Sequence, residues 1–91
     1  MKKASKLFIT GSAQGIFYEQ FIKESADKLG IRGFLRKLED GRFEIFIEGN
    51  HDNMEQMLAV CKRDYKHAKI RNVEEKPEKF QGFKEFKILK I

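Results

Sequence analysis

Lys6-Leu7-Phe8-Ile9-Thr10-Gly11-Ser12-Ala13-Gln14-Gly15-Ile16-Phe17-Tyr18-Glu19 opens as a short alternating run and closes on the start of a helical pattern. Leu7 and Ile9 fall on one face of an extended segment and Phe8 and Thr10 on the other, as in a half-buried strand. From Tyr18 to Leu29, Phe21, Ile22, Ser25, Ala26 and Leu29 recur at helical spacing, and Gly30 stands where a C-cap glycine belongs. Strand, tight turn and helix follow in that order. Backbone N–H groups in a turn of small residues have no side chains in their way, and the positive end of the helix dipole lies beside them. Gly11, Ser12, Ala13, Gln14, Gly15, Ile16, Phe17 and Tyr18 are therefore the candidates for an anion-holding loop, although glycines also serve tight turns for conformational reasons alone.

Outward from Gly30, two extended runs, Ile31–Leu38 and Arg42–Glu48, are joined through Glu39-Asp40-Gly41, and Asp-Gly between alternating segments signals a hairpin. Phe43, Ile45 and Ile47 share one face of the second run and leave Glu44, Phe46 and Glu48 on the other. Asp52 with Glu55 three residues on forms a capping-box pattern ahead of Met54, Met57, Leu58, Cys61 and Tyr65, which predicts a second helix from Asn53 to Tyr65. A fourth strand over Lys69–Glu75 and a fifth over Phe83–Ile88 follow, separated by a loop around Pro77. The order β-α-β-β-α-β with an extra C-terminal strand is that of an α+β, ferredoxin-like sandwich, an antiparallel sheet covered on one face by two helices. Residues 1–91 are expected to make a single domain.

The composition is 41% hydrophobic and 36% charged, with nine Phe, no Trp and one Pro, which suits a packed globule. One cysteine, Cys61, sits inside the second helical pattern, so a disulfide scaffold or cysteine-rich zinc site within one chain is excluded. His51 and His67 have no ligand partners at metal spacing, and no metal site is expected. The basic N-terminus leads only into Leu7-Phe8-Ile9, too short an apolar run for a signal peptide or a membrane span, so a cytoplasmic location is expected. The net charge of +5 favours anionic partners, but the lysines are spread along the chain rather than clustered.

Gly11-Ser12-Ala13-Gln14-Gly15-Ile16-Phe17-Tyr18, then Ala26 to Arg36, Asp40-Gly41, Phe43 to Gly49 and Phe80-Gln81-Gly82-Phe83, together resemble the acylphosphatase family along nearly the whole chain. The resemblance implies a turn whose amides hold the phosphate of a carboxylic-phosphoric anhydride. It also implies an arginine at the start of the first helix that binds the same phosphate, an asparagine ending the second strand that positions the attacking water, and no cofactor. Here the arginine position is Glu19 and the asparagine position is Lys37. Removing a guanidinium from a phosphoryl transition state costs on the order of 10³-fold. A carboxylate about 5 Å away at an effective dielectric near 20 opposes each phosphate charge by roughly 3 kcal/mol.

The resemblance places Glu19 and Lys37 in one pocket, where a salt bridge between them is expected. The sequence therefore reads as an acylphosphatase-like protein without, or with strongly reduced, acyl phosphate hydrolase activity. An active hydrolase with an altered site, using Glu19 as a base on water and Lys37 for phosphate, is the alternative. A third reading is a nucleic-acid or protein binding module, since Phe8 and Phe46 share the sheet face without helices, as stacking aromatics do in RNA-recognition modules. Glu44 and Glu48 on that face would repel a phosphate backbone. The expected partner is a small phosphate-bearing anion, not nucleic acid or a membrane, and a monomer is expected.

Overall fold

The computed structural model describes residues 2–13, 15–66 and 68–90, with the backbone alone of Ala13. The elements are β1 (Lys2–Ala13), α1 (Gly15–Lys28), β2 (Arg32–Lys37), β3 (Phe43–Asn50), α2 (His51–Lys62), β4 (Ala68–Glu78) and β5 (Phe86–Leu89). The strands form one sheet in the order β4-β1-β3-β2-β5. On its helix-covered face, Leu7, Ile9, Leu35, Ile45, Ile47 and Phe86 meet Tyr18, Ile22 and Ala26 of α1 and Met54, Met57 and Cys61 of α2. These helix residues recur at three- and four-residue intervals, so each helix turns one apolar stripe to the sheet. Each large side chain so buried contributes about 1.5–3 kcal/mol.

The sheet is mixed rather than wholly antiparallel, because β5 runs parallel to β2. The cause is the path of the chain. β4 ends at the end of the sheet where β2 begins, and residues 79–85 cross from one edge to the other at that end, so the chain enters β5 running with β2. This crossing strap lies over the face that carries no helix. The Glu48 carboxylate, 1% exposed, accepts the N–H groups of Gln81 at 2.7 Å and Phe83 at 2.6 Å, one on each oxygen. Phe83 then packs at 5.3 Å from Phe46 and 5.9 Å from Phe34 between ring centroids. Gly33 N–H donates to the Glu85 carbonyl at 3.1 Å and fastens the far end of the strap. Only glycine suits position 33, where φ is +140° and a Cβ would lie 1.9 Å from the Phe46 carbonyl oxygen.

Several boundaries differ from the sequence reading: β1 reaches from Lys2 to Ala13, α1 opens at Gly15, and α2 stops at Lys62, short of Tyr65, which bridges to Ala68 instead. α2 begins at His51, with Asn50 at the cap position and no side-chain cap bond, so the expected Asp52–Glu55 box is not formed and Asp52 lies within the first turn. Its charge there still complements the helix dipole. Pro77 belongs to β4, opposite Ser5, rather than to a loop. That placement is tolerable because β4 is an edge strand, where a missing N–H need cost no ladder bond. β5 starts at Phe86 because Phe83 is drawn over the sheet face instead of into the ladder.

Two buried polar groups fare oppositely. Both Glu48 oxygens are satisfied, whereas the Tyr18 hydroxyl, in a residue 1% exposed, has no hydrogen-bond partner among the described residues, and burial pushes its pKa upward. Glu48→Gln, which turns an amide NH2 toward one of the strap's N–H groups, is expected to cost about 2 kcal/mol. Tyr18→Phe, which deletes an unsatisfied hydroxyl at nearly constant shape, is expected to gain about 1 kcal/mol. Urea denaturation of both variants, read as midpoint shifts of opposite sign, checks the pair.

Candidate functional site

The chain passes from β1 into α1 with almost no intervening loop. Gly11, Ser12 and Ala13 continue β1 and pair with Ile70, Lys69 and Ala68 of β4, after a register shift between Thr10 and Gly11. A Cβ on Gly11 would lie 2.1 Å from the Lys69 carbonyl oxygen, so close approach of β4 demands this glycine. Gln14 lies outside the described residues. Gly15, Ile16, Phe17 and Tyr18 form the opening of α1 instead of an extended loop. The anion-loop residues are thus divided between a strand end and a helix N-terminus.

That N-terminus has the features that favour an anion. The first-turn amides of Gly15 and Ile16 have no acceptor within the helix, and no acidic residue occupies the first turn. A Cβ added at Gly15 would meet nothing within 4 Å, so the approach is open. Ile16 and Phe17 are exposed beside it, whereas Tyr18 turns inward and sets its ring 5.1 Å from that of Phe43.

Glu19, one turn into α1, is 6% exposed and accepts a hydrogen bond from Lys90 Nζ in an ion pair. The expected Glu19–Lys37 salt bridge is not formed. Lys37 instead places its ammonium 5.8 Å from the ring centroid of Phe43, its cross-strand neighbour. The reason lies in β5. Phe86 and Ile88 pair with Gly33 and Leu35 on the helix-covered side, and continuing that alternation brings Lys90 beneath α1. Lys37, held along Phe43, leaves Glu19 to the C-terminal lysine. Sequence reasoning missed Lys90, although its signal was present in the alternation Phe86-Lys87-Ile88-Leu89-Lys90 once the parallel register is known.

Elsewhere the chemistry is quieter. Cys61 is fully buried, and burial pushes its thiol up to about 12, so it carries no thiolate at neutral pH. His51 is the exposed first residue of α2, and His67 lies outside the described residues. No group of three His, Cys, Asp or Glu side chains converges among the described residues. No helix among them is long and apolar enough to cross a membrane. On the face opposite the helices, Phe8 has the Arg42 guanidinium 5.1 Å and the Lys76 ammonium 5.7 Å from its ring centroid. Phe46, only 4% exposed, lies among Phe34 and Phe83 and offers no open ring for a base. Glu44 on the same face is buried between Arg36 and Lys6.

A model of the acylphosphatase family matches residues 5–88. The acylphosphatase of Caldanaerobacter subterraneus subsp. tengcongensis is 34% identical over 89 residues, which cover 97% of this chain and 99% of the relative. That of Pyrobaculum arsenaticum is 36% identical over 85 residues, 91% of this chain and 90% of the relative. The crystal structure of acylphosphatase from Bacillus subtilis shares the fold with a TM-score of 0.90 at 23% identity, covering 99% of this chain and 100% of that one. With the family match spanning nearly all of the chain, and the strand-to-helix junction of Gly11 to Glu19 inside it, this chain belongs to the acylphosphatase family.

Proposed function

We infer that this chain keeps the acylphosphatase scaffold, as one domain over residues 1–91, while its acyl phosphate hydrolase activity is absent or strongly reduced. The observation that carries this reading is the state of Glu19. At the position where the family resemblance implies a phosphate-binding guanidinium, a buried carboxylate is engaged by Lys90. A phosphate entering beside the α1 N-terminus meets the helix dipole, worth about 0.3–1 kcal/mol. At about 5 Å from Glu19 it meets a repulsion of roughly 3 kcal/mol per charge at an effective dielectric near 20. The Lys90 ammonium, paired with the same carboxylate, cancels much of that repulsion, and what the site then lacks is a guanidinium to bind the phosphate.

Lys37 does not restore the chemistry. An ammonium has donors but no acceptor, so it cannot take a proton from water or orient one as an amide side chain does. Its place along the Phe43 ring leaves a cation available to a small phosphate-bearing anion at this end of the sheet. Weak binding of such an anion without turnover is the behaviour these groups support.

Incubation of the full chain with benzoyl phosphate is expected to give hydrolysis at least about 10³-fold below an ordinary acylphosphatase rate. Turnover at ordinary enzyme rates overturns the reading. Restoration is the sharper test. Because an arginine at position 19 would face Lys90, Glu19→Arg with Lys37→Asn is made both alone and with Lys90→Gln. Activity is expected to appear in the triple variant and to be weaker in the double, while Lys90→Gln alone stays inert. A folded but inert triple variant would place the deficit in the backbone of the junction as well.

A further inference from the structure

On the sheet face opposite Glu19, β2, β5 and the strap enclose a groove of about 320 Å³ bordered by Gly33, Phe34, Phe83, Lys84, Lys87 and Leu89. Its apolar walls come from the half-buried rings of Phe34 and Phe83, set edge to face at 63°, and from Leu89, 40% exposed. Gly33 borders the groove with backbone alone. Lys84 makes no ion pair among the described residues, and Lys87 reaches Glu85 only at 4.0 Å between exposed groups. The rim thus carries two ammonium groups against one carboxylate.

We propose that this groove is a binding site for a small aromatic anion, a flat apolar body bearing one carboxylate or similar charge. Size fits that class, since pockets for small molecules begin near 300 Å³ and combine mostly apolar walls with few polar groups. Shape fits it too. Rings already set edge to face accept a further ring in offset or edge contact, which is worth about as much as other aromatic pairs. Charge selects among such molecules: the surplus ammonium favours an anion over its neutral analogue and disfavours a cation.

The walls are also held in place before any ligand arrives. Glu48 fixes the strap through the Gln81 and Phe83 N–H groups, Arg32 Nη1 donates to the Phe83 carbonyl at 3.5 Å, and Gly33 N–H holds Glu85. Little ordering is then left for binding to supply. The site uses none of the groups at the β1–α1 junction, so it stands or falls independently of hydrolysis.

The test is an NMR titration of the full chain with 2-naphthoate, following backbone amides, beside the neutral 2-naphthamide. Saturable shifts confined to residues 33–36 and 82–89 are expected, with a dissociation constant of about 1 mM. 2-Naphthamide is expected to bind about fivefold more weakly, and Lys84→Glu with Lys87→Glu to weaken naphthoate at least about tenfold. The spectrum of the variant reports its folding. If the variant does not fold, the comparison of the two ligands on the unaltered chain decides the matter. No saturation by about 10 mM, shifts centred instead on Gly15 to Glu19 or on the α1–α2 cleft lined by Phe21, Leu29 and Val60, or equal binding of both ligands would overturn the proposal.

Discussion

A carboxylate taken out of water must be met by donors, and among the described residues that condition falls on Glu19, Glu44 and Glu48. Each is satisfied by a group far away in sequence or across a strand. Glu48 draws in the amides of Gln81 and Phe83, Glu44 takes Arg36 and Lys6, and Glu19 takes Lys90. Two of these tie the C-terminal part of the chain to the sandwich, one at each end of the sheet. The Glu48 bonds hold the strap on its course over the open face, and the Glu19–Lys90 pair holds the segment after β5 beneath α1.

The parts legible in the sequence were those governed by local periodicity. Alternation in Leu7 to Thr10 and Phe43 to Glu48, the helical spacing from Tyr18 to Leu29, and Asp40-Gly41 led to the observed order of strands and helices. Periodicity also placed Phe8 and Phe46 on the helix-free face. It had no means of showing that Phe46 would be covered, because the covering Phe83 arrives through a hydrogen bond to Glu48, 35 residues away. The sheet's mixed character was hidden for the same reason. A short strand such as Phe86–Leu89 carries no mark of direction, which depends on where the preceding strap crosses.

At the candidate site, the residue types were legible and their pairing was not. The family resemblance set Glu19 and Lys37 in one pocket, and charge complementarity then made them natural partners. Two geometric facts separate them. Phe43, opposite Lys37 in the ladder, gives the lysine's ammonium a ring face to lie near. The parity of β5, set by its parallel register on β2, delivers Lys90 to the helix-covered side.

The Glu19–Lys90 pair also bears on how the site came to its present charge pattern. A lone carboxylate at position 19, nearly without solvent contact, would be costly to keep ionised. With Lys90 it is neutralised as a pair, and the pair joins α1 to the strand that closes the sheet edge. An arginine at position 19 would instead face that lysine with like charge. The two positions are therefore energetically coupled but unequally: removing Lys90 leaves the buried Glu19 carboxylate without its partner, whereas removing Glu19 leaves an exposed ammonium that water can solvate.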